Sequence, residues 1–475
     1  MIQRNNRTEI IESFKRKQQY LTIVGFSMFF GWLLAVPFEG QILYSIISTK
    51  GIEFNHLYEL SLSAHLIALI FSGYVLKSKM SAKITMLLSS IVCILGSTVF
   101  YLSFSILWNI SLIAISFFAG MFVSSWALFL KSYSKDSERV KIVVDVLILS
   151  NLFMLIFDFM AVRISPYLSL FLSIAFLLGS LLLTMKLDTS YEATDRKTNY
   201  LRKEIRNPFI ILCVFIFVIT ISSGFMYQVI IPAYAEFPLI VAFYWAVPYI
   251  TALLVVRFFV NKIDLTHFLY FALAMKGISF LAFNYLSINI SSYLFVNTFL
   301  MAALGIFDMF LWVALSSFII RHEEPARIWG YGLSINVFGI LFGGIIGNFL
   351  TSQAGRLNIS IIALSSVFVL IAILPFLLDS FRKLEEIEIV EDRVYENTRS
   401  IDLNNLRSQY SLTDRELEVI NLVVKGYTYK AIADDLSITE NTVKFHSKNI
   451  YSKFDVNTKM KLIEKIEKKQ PTHKG

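Results

Sequence analysis

The sequence predicts an all-α fold: a polytopic helical membrane bundle of about twelve transmembrane helices, six plus six, followed by a small four-helix domain. Three observations predict it. Hydrophobic residues make up 56% and charged residues 16% of the 475, against about 25% charged in a soluble globular chain, so water is not the solvent of most of this protein. Twelve apolar runs then follow one another, near 20–47, 54–76, 84–103, 107–130, 142–163, 164–186, 209–231, 236–260, 266–287, 291–320, 328–352 and 357–378, each close to the about 20 residues that a spanning helix needs. After residue 378 the apolar runs stop and charge returns abruptly.

The first run follows a basic start (Arg4, Arg7, Lys15, Arg16, Lys17). It is longer than a secretory signal core and lacks a small-x-small cleavage site, so it reads as a first span. It is too long for one span, however, and the break between the fifth and sixth, Arg163-Ile164-Ser165-Pro166, is very tight. Alternate loops carry 22 Lys and Arg when the N-terminus is taken as inside, and the outer loops carry three, Lys50, Arg163 and Arg356. That bias predicts a multi-pass protein of the inner (cytoplasmic) membrane with both termini cytoplasmic. The net charge of +8 has the same topological origin and by itself says nothing about nucleic acid. The two cysteines, Cys93 and Cys213, both lie in apolar runs, which excludes a disulfide framework and a cysteine metal site.

The polar stretch from Leu187 to Pro208 divides the spans into six and six. This topology over residues 1–378 resembles the major facilitator superfamily, and the resemblance implies two bundles about a midplane cavity. The superfamily's loop between the second and third spans reads G-x-x-x-D-R/K-x-G-x-R/K-R/K; here it is Gly73-Tyr-Val-Leu-Lys77-Ser-Lys79-Met-Ser-Ala-Lys83. Lys77 stands where the family has an acid that pairs across the cytoplasmic gate. That departure argues against an ordinary alternating transporter and suits a fold kept for sensing.

Residues 379–408 hold eight acids against five bases and read as an acidic linker, either part helical or flexible; as a flexible coil, thirty residues would reach roughly 30 Å. Residues 409–475 then form a soluble domain. Thr413-Asp-Arg-Glu416 is a capping box, with an apolar face behind it at Leu417, Ile420, Val423 and Val424. Gly426 ends that helix, and Thr428 starts a short second one bearing Ala431, Ile432 and Leu436. The third, Asn441 to Phe454, turns Val443, Ile450 and Phe454 inward and sets Lys444 and Lys448 on one outer face. A short helix, a turn and a basic helix suit the major groove of duplex DNA.

Here the chain resembles the LuxR-type helix-turn-helix domain. Its residues Leu412-Thr413-Asp-Arg415-Glu416, Lys430-Ala-Ile432-Ala433, Leu436-Ser-Ile438-Thr439-Glu-Asn-Thr442-Val443-Lys444-Phe-His446 and Ile450-Tyr451-Ser-Lys453-Phe454 keep the family's pattern without a gap. The resemblance implies DNA contacts from Thr439, Asn441, Thr442, Lys444, Phe445, His446 and Lys448. The threonines would meet phosphates at the helix N-terminus, and Lys444, Phe445 and Lys448 would meet base edges. It also implies a final helix, Thr458 to Lys468, that pairs two domains as a homodimer on DNA through Leu462, Ile463 and Ile466. Ala431, Asp455 and Lys459 depart from the family's usual Glu, Gly and Arg, and Asp455 bears on the turn before the last helix.

An ordinary solvated helix face is the bland alternative for Lys444 and Lys448, and the surrounding pattern outweighs it. For His446, packing or phosphate contact outweighs metal ligation, since no second ligand stands at a useful spacing. Ionisable residues inside the spans mark functional sites by default: His56, Glu59, His65, Asp158, Lys276 and Asp308, the last two near the middles of the ninth and tenth spans. They are candidates for a small-molecule ligand or a membrane ion pair, against a purely structural role, and His56 and Glu59 could simply sit at the outer interface. Gly339, Gly343 and Gly347 recur every four residues and point to packing inside the bundle. No metal, cofactor or catalytic constellation is called for, and the chain does not read as an enzyme. The partners implied are double-stranded DNA, the lipid bilayer and an unknown small-molecule ligand. Together the two resemblances imply a membrane-anchored, sequence-specific transcription regulator acting as a one-component sensor. A secondary transporter with an attached regulatory DNA-binding domain is the alternative, and an inert anchor a third possibility.

Overall fold

The computed structural model describes residues 2–38, 40–51, 57–134, 138–190, 202–260, 262–320, 324–353, 356–399, 403–424, 429–436, 438–458, 461, 462, 465 and 466. His56, Gly426, Thr428 and Ile463 lie outside the described residues. No strand occurs among those that are described. Helices α1 (Ile2–Leu33), α2 (Gln41–Lys50), α3 (Leu57–Val75), α4 (Lys79–Thr98), α5 (Ile106–Tyr133), α6 (Arg139–Arg163) and α7 (Pro166–Met185) form the first half of the membrane unit. The second half comprises α8 (Arg202–Phe225), α9 (Ile231–Ala233), α10 (Pro238–Tyr244), α11 (Ala246–Phe259), α12 (Leu265–Tyr285), α13 (Ile290–Ile320), α14 (Pro325–Gln353) and α15 (Arg356–Arg399).

Among the described residues eleven helical stretches are long and apolar enough to cross a membrane, and the shorter apolar helix Glu59–Val75 makes the twelfth run. The over-long first run resolves into α1, a π-helical segment Leu34–Phe38 containing Pro37, and the separate helix α2. The tight fifth break resolves because Pro166 opens α7 and the Ser165 hydroxyl accepts from the Leu168 N–H at 3.4 Å. Within the acidic linker, residues 379–399 take the helical alternative and continue α15, with Asp379 bridged to Lys383 at 2.7 Å one turn on.

The two halves meet along a seam in which α14 packs on α3 and α5, and α6 packs on α11 and α13. At Gly330 the backbones come so close that a Cβ would fall 2.3 Å from the Leu69 carbonyl oxygen. At Gly339 and Gly343 a Cβ would fall 2.0 Å from the Thr220 hydroxyl and 2.1 Å from the Ile221 carbonyl oxygen, so these two glycines do serve packing inside the bundle. Toward the end of the seam that carries the basic loops, three indoles close the middle: Trp126, Trp312 and Trp329, with ring centroids 5.4–5.8 Å apart. Phe26 stacks on Trp126 at 4.3 Å and Phe30 meets Trp312 edge-on at 5.3 Å. Trp126, Trp312, Trp329 and Phe26 are all buried.

Beyond the indoles, at the loop ends, Lys77 pairs with Glu324 at 2.5 Å. Glu324 also takes Arg327 at 2.9 Å, and Tyr74 and Tyr331 share a hydrogen bond of 3.1 Å. Lys77 thus has its acid partner supplied from the facing half. Asp145 and Arg257 form a second bridge across the seam, between α6 and α11. Lys83 donates to the Met185 and Leu187 carbonyls at 2.8 and 2.7 Å, placing a cation at the C-terminus of α7 where the helix dipole favours it.

Hydrogen bonds from Lys77 and then Arg327 hold the Glu324 carboxyl down at about 2. A carboxyl depressed in the folded state contributes stability that is complete above its unfolded value of about 4.5 and is lost as pH falls through about 2. The pair is half-exposed, so about 0.5 kcal/mol is expected from it after solvent screening. In detergent-solubilised protein, Lys77→Glu should lower the thermal unfolding midpoint at pH 7, and adding Glu324→Lys should recover most of the loss; two additive losses would show that the pair contributes nothing.

Candidate nucleic-acid interface

The C-terminal unit builds its own core from short amphipathic helices, α16 (Leu403–Tyr410), α17 (Asp414–Val424), α18 (Tyr429–Asp435) and α19 (Glu440–Lys453). Val419, Ile420, Ile432, Val443, Ile450, Phe454 and Leu462 are all fully buried in it. The capping box forms as its spacing predicts: the Thr413 N–H donates to Glu416 at 2.8 Å and the Glu416 N–H to the Thr413 hydroxyl at 3.2 Å.

Glu416 does more than cap. Its side chain is only 4% exposed and takes the Lys453 ammonium at 2.7 Å, while Lys453 also donates to the Ser411 carbonyl at 2.7 Å. The start of α17 is thereby tied to the end of α19. Arg415 donates to the Leu436 carbonyl at 2.8 Å, fixing the end of α18 against α17. The Tyr429 and Tyr451 hydroxyls bond at 2.8 Å, and Tyr410 stacks on Phe454 at 3.9 Å. Only the pattern positions Arg415, Glu416 and Lys453 were visible beforehand; nothing in the spacing announced that the last two meet.

This frame presents α19 with one face in the core and the other in solvent. Thr439 caps the helix, accepting from the Thr442 N–H at 3.2 Å, and the two hydroxyls lie 2.8 Å apart. The free N–H groups of the first turn therefore stand beside two hydroxyls, an arrangement suited to phosphate oxygens. Asn441, Lys444, Phe445 and Lys448 are exposed, Thr442 and His446 half-buried. Phe445 keeps 61% of its surface in water, unusual for a phenyl ring with a core one turn away. Lys444 rests on Glu440 at 2.9 Å, an exposed intrahelical pair that competing phosphates can break. Thr439, Asn441, Thr442, Lys444, Phe445 and Lys448 thus share one accessible surface, with His446 at its edge against the Phe445 ring.

In the final segment Leu462 and Ile466 are buried in their own domain's core, 0% and 2% exposed, while Ile463 lies outside the described residues.

The membrane candidates separate likewise. His65 is buried, its Nδ1 3.2 Å from the Ser116 carbonyl and its ring edge-on to Phe38. The Asp158 carboxylate accepts from the Gln41 N–H at 2.7 Å, capping the start of α2 from a neighbouring helix. Glu59 lies half-buried in the first turn of α3. Lys276 and Asp308 come near one another but no salt bridge joins them. Lys276 donates to the Ile219 carbonyl at 2.9 Å, and Asp308 accepts from the Tyr249 hydroxyl at 2.9 Å.

Residues 410–466 match the family model of bacterial regulatory proteins of the luxR family. They form a LuxR-family helix-turn-helix domain. Over 46 residues the chain is 54% identical to the transcriptional regulatory protein LiaR of Bacillus subtilis, covering 10% of this chain and 22% of that one. It is 41% identical over 59 residues to the oxygen regulatory protein NreC of Staphylococcus haemolyticus, 12% of this chain and 27% of that one. The chain thus spans only about a quarter of the length of these two relatives. The membrane unit has the major facilitator fold. It superposes on the proton:xylose symporter XylE with a TM-score of 0.61 at 12% identity, covering 78% of this chain and 96% of that one. For the transporter FucP in its outward conformation the TM-score is 0.55 at 16% identity, covering 76% and 98%.

Burial pushes the Glu416 carboxyl up, and the hydrogen bonds from Lys453 and Thr413 overcome it, leaving the group below its usual value. Its contribution to the domain's stability is accordingly full at neutral pH and fades as acid is added. Lys453→Met leaves a buried carboxylate without its cation and should cost the domain about 2 kcal/mol in urea unfolding at pH 7, and less at pH 4. Asp455, where the family has Gly, holds a left-handed φ of 48°; Asp455→Gly should gain about 0.5 kcal/mol, relief of strain outweighing the more flexible unfolded chain.

Proposed function

We propose that this protein is a membrane-anchored, sequence-specific transcription regulator, a one-component sensor whose membrane bundle perceives a small ligand and whose LuxR-family domain binds DNA at the cytoplasmic face of the inner membrane. The observation that carries the reading is the solvent face of α19, where Lys444, Phe445 and Lys448 stand exposed on a helix held rigid by a complete core and by the Glu416–Lys453 tie. Lysine ammoniums at this spacing can reach guanine O6 and N7 in the major groove, and an exposed phenyl ring can meet a thymine methyl. The preceding turn supplies phosphate anchors at Thr439 and Thr442, which set register without reading sequence.

One such domain covers a short half-site, so binding is weak until two are brought together on a two-fold operator. The excess of basic residues in alternate loops supports a cytoplasmic placement of both termini. Helical structure over residues 379–399 supports transmission of a change in the bundle, because a helix carries rotation and translation where a coil dissipates both.

Two measurements test this. Lys444→Ala together with Lys448→Ala should weaken operator binding by at least about 30-fold and reduce the dependence of affinity on salt by up to about two charges, with the unfolding midpoint unchanged; an unaltered footprint removes the assignment of α19. Full-length protein in nanodiscs should bind its operator with an affinity that changes on addition of ligand, whereas residues 400–475 alone should not respond. Identical responses would leave a DNA-binding protein that senses nothing.

A further inference from the structure

The second half of the bundle holds two opposite charges that are kept apart. Lys276, on α12, is 3% exposed, and among the described residues its one hydrogen bond goes to the Ile219 carbonyl of α8. The Phe307 ring lies 5.2 Å from its ammonium. Asp308, on α13, is held instead by the neutral Tyr249 hydroxyl of α11 at 2.9 Å. Tyr249 reaches it because α11 and α13 touch at Gly305, where a Cβ would lie 2.9 Å from the Tyr249 carbonyl oxygen. A lysine and an aspartate that served only stability would bond each other, since each buried charge is costly until paired. Here each leans on a neutral group, and a cavity of about 10 Å³ opens beside the ammonium, lined by Ser222, Ser223, Met226, Lys276, Leu300 and Leu304.

Electroneutrality selects what can enter. Lysine and aspartate together carry no net charge, whichever of them holds the proton. A simple anion or a simple cation would leave one uncompensated charge in a low-dielectric bundle, at a cost of several kcal/mol. A molecule carrying both a carboxylate and an ammonium adds no net charge and satisfies both side chains at once. Apart from Lys276 the lining, to which Asp308 does not belong, is Met226, Leu300 and Leu304 with two serine hydroxyls, which suits a small apolar substituent. From these observations we propose that the bundle binds a small zwitterion of the α-amino-acid kind, its carboxylate on Lys276 and its ammonium on Asp308, a proposal that rests on reading the bundle as a ligand sensor.

The cavity as it stands has room for about one water. A zwitterion must therefore displace a wall. The wall built to move is the end of α8: Met226 lines the cavity and begins a π-helical segment, Met226–Ile230, whose backbone is wound more loosely than the α-helix before it. On the near side of that segment α8 is clamped to α14, where a Cβ on Gly224 would lie 2.4 Å from the Gly344 nitrogen. Ligand entry thus pushes on a segment hinged at a tight helix crossing with α14, whose other end carries Trp329 and the contact of Arg327 with Glu324.

The test uses the full-length protein in phosphatidylglycerol nanodiscs, so that no zwitterionic headgroup competes, and reads the thermal unfolding midpoint. Millimolar L-alanine or L-valine should raise it by about 2 °C or more, while propionate and isobutylamine, which carry one charge each, should leave it in place. Lys276→Met and Asp308→Asn should each abolish the shift. Tyr249→Phe, a milder change that keeps the packing, should reduce it and provides the readout if either charge variant fails to fold. No shift with either amino acid, or equal shifts with the single-charge analogues, overturns the proposal, as does a shift that survives in the folded variants. Operator binding measured on the same samples separates the two readings: zwitterion binding without a change in operator affinity keeps this site and removes the sensor, and an operator response to some other ligand does the reverse.

Discussion

In hydrocarbon no water is available to satisfy a backbone N–H or C=O, and every other feature of the membrane unit is arranged around that fact. Within a helix the chain pairs its own groups; wherever the helix is interrupted, another group must be brought in. The interruption after Phe38 shows the rule at work. The Gly40 N–H returns to the Leu34 carbonyl at 2.9 Å, and the Gln41 N–H is met by the carboxylate of Asp158 from α6. A buried acid thus supplies an acceptor to the first turn of a neighbouring helix.

With the backbone saturated, helix association in lipid depends on close packing and on polar contacts between side chains. The seam uses both. Glycine at 330 lets backbones approach, the indoles of Trp126, Trp312 and Trp329 fill the middle, and charges are left for the loop ends, where headgroups and water lower their cost. A pair at such a place depends on complementary signs, and Lys77 and Glu324 supply them from the two halves.

How much of this was legible follows from the range of each interaction. Length, hydropathy and loop charge are local and additive, so the twelve runs, the six-plus-six division and the tight Ser165-Pro166 turn could all be read from the chain. The capping box at Thr413 and the inward face of α19 are local too, at separations of three or four residues. Contacts across the fold could not be read. Glu416 and Lys453 stand 37 residues apart and Lys77 and Glu324 247 apart, and no periodicity links either pair. Leu462 and Ile466 show the same limit: an apolar residue signals burial without saying in what, and only the fold places both in the domain's own core.

The two units also solve opposite problems with charge. In the bundle a lysine such as Lys276 must be held by a carbonyl and a ring, because its solvation has been removed. On α19 the lysines keep their hydration, and Lys444 has only a weak tether to Glu440. That looseness suits recognition. A phosphate or base edge competes with water and with an exposed glutamate, both of which yield cheaply, while the buried Glu416–Lys453 tie keeps the helix axis fixed as the outer side chains change partners. Reading DNA asks for mobile ammoniums on an immobile helix, and the same pair of residue types, Glu and Lys, provides the mobility at 440 and 444 and the rigidity at 416 and 453, with burial alone deciding which.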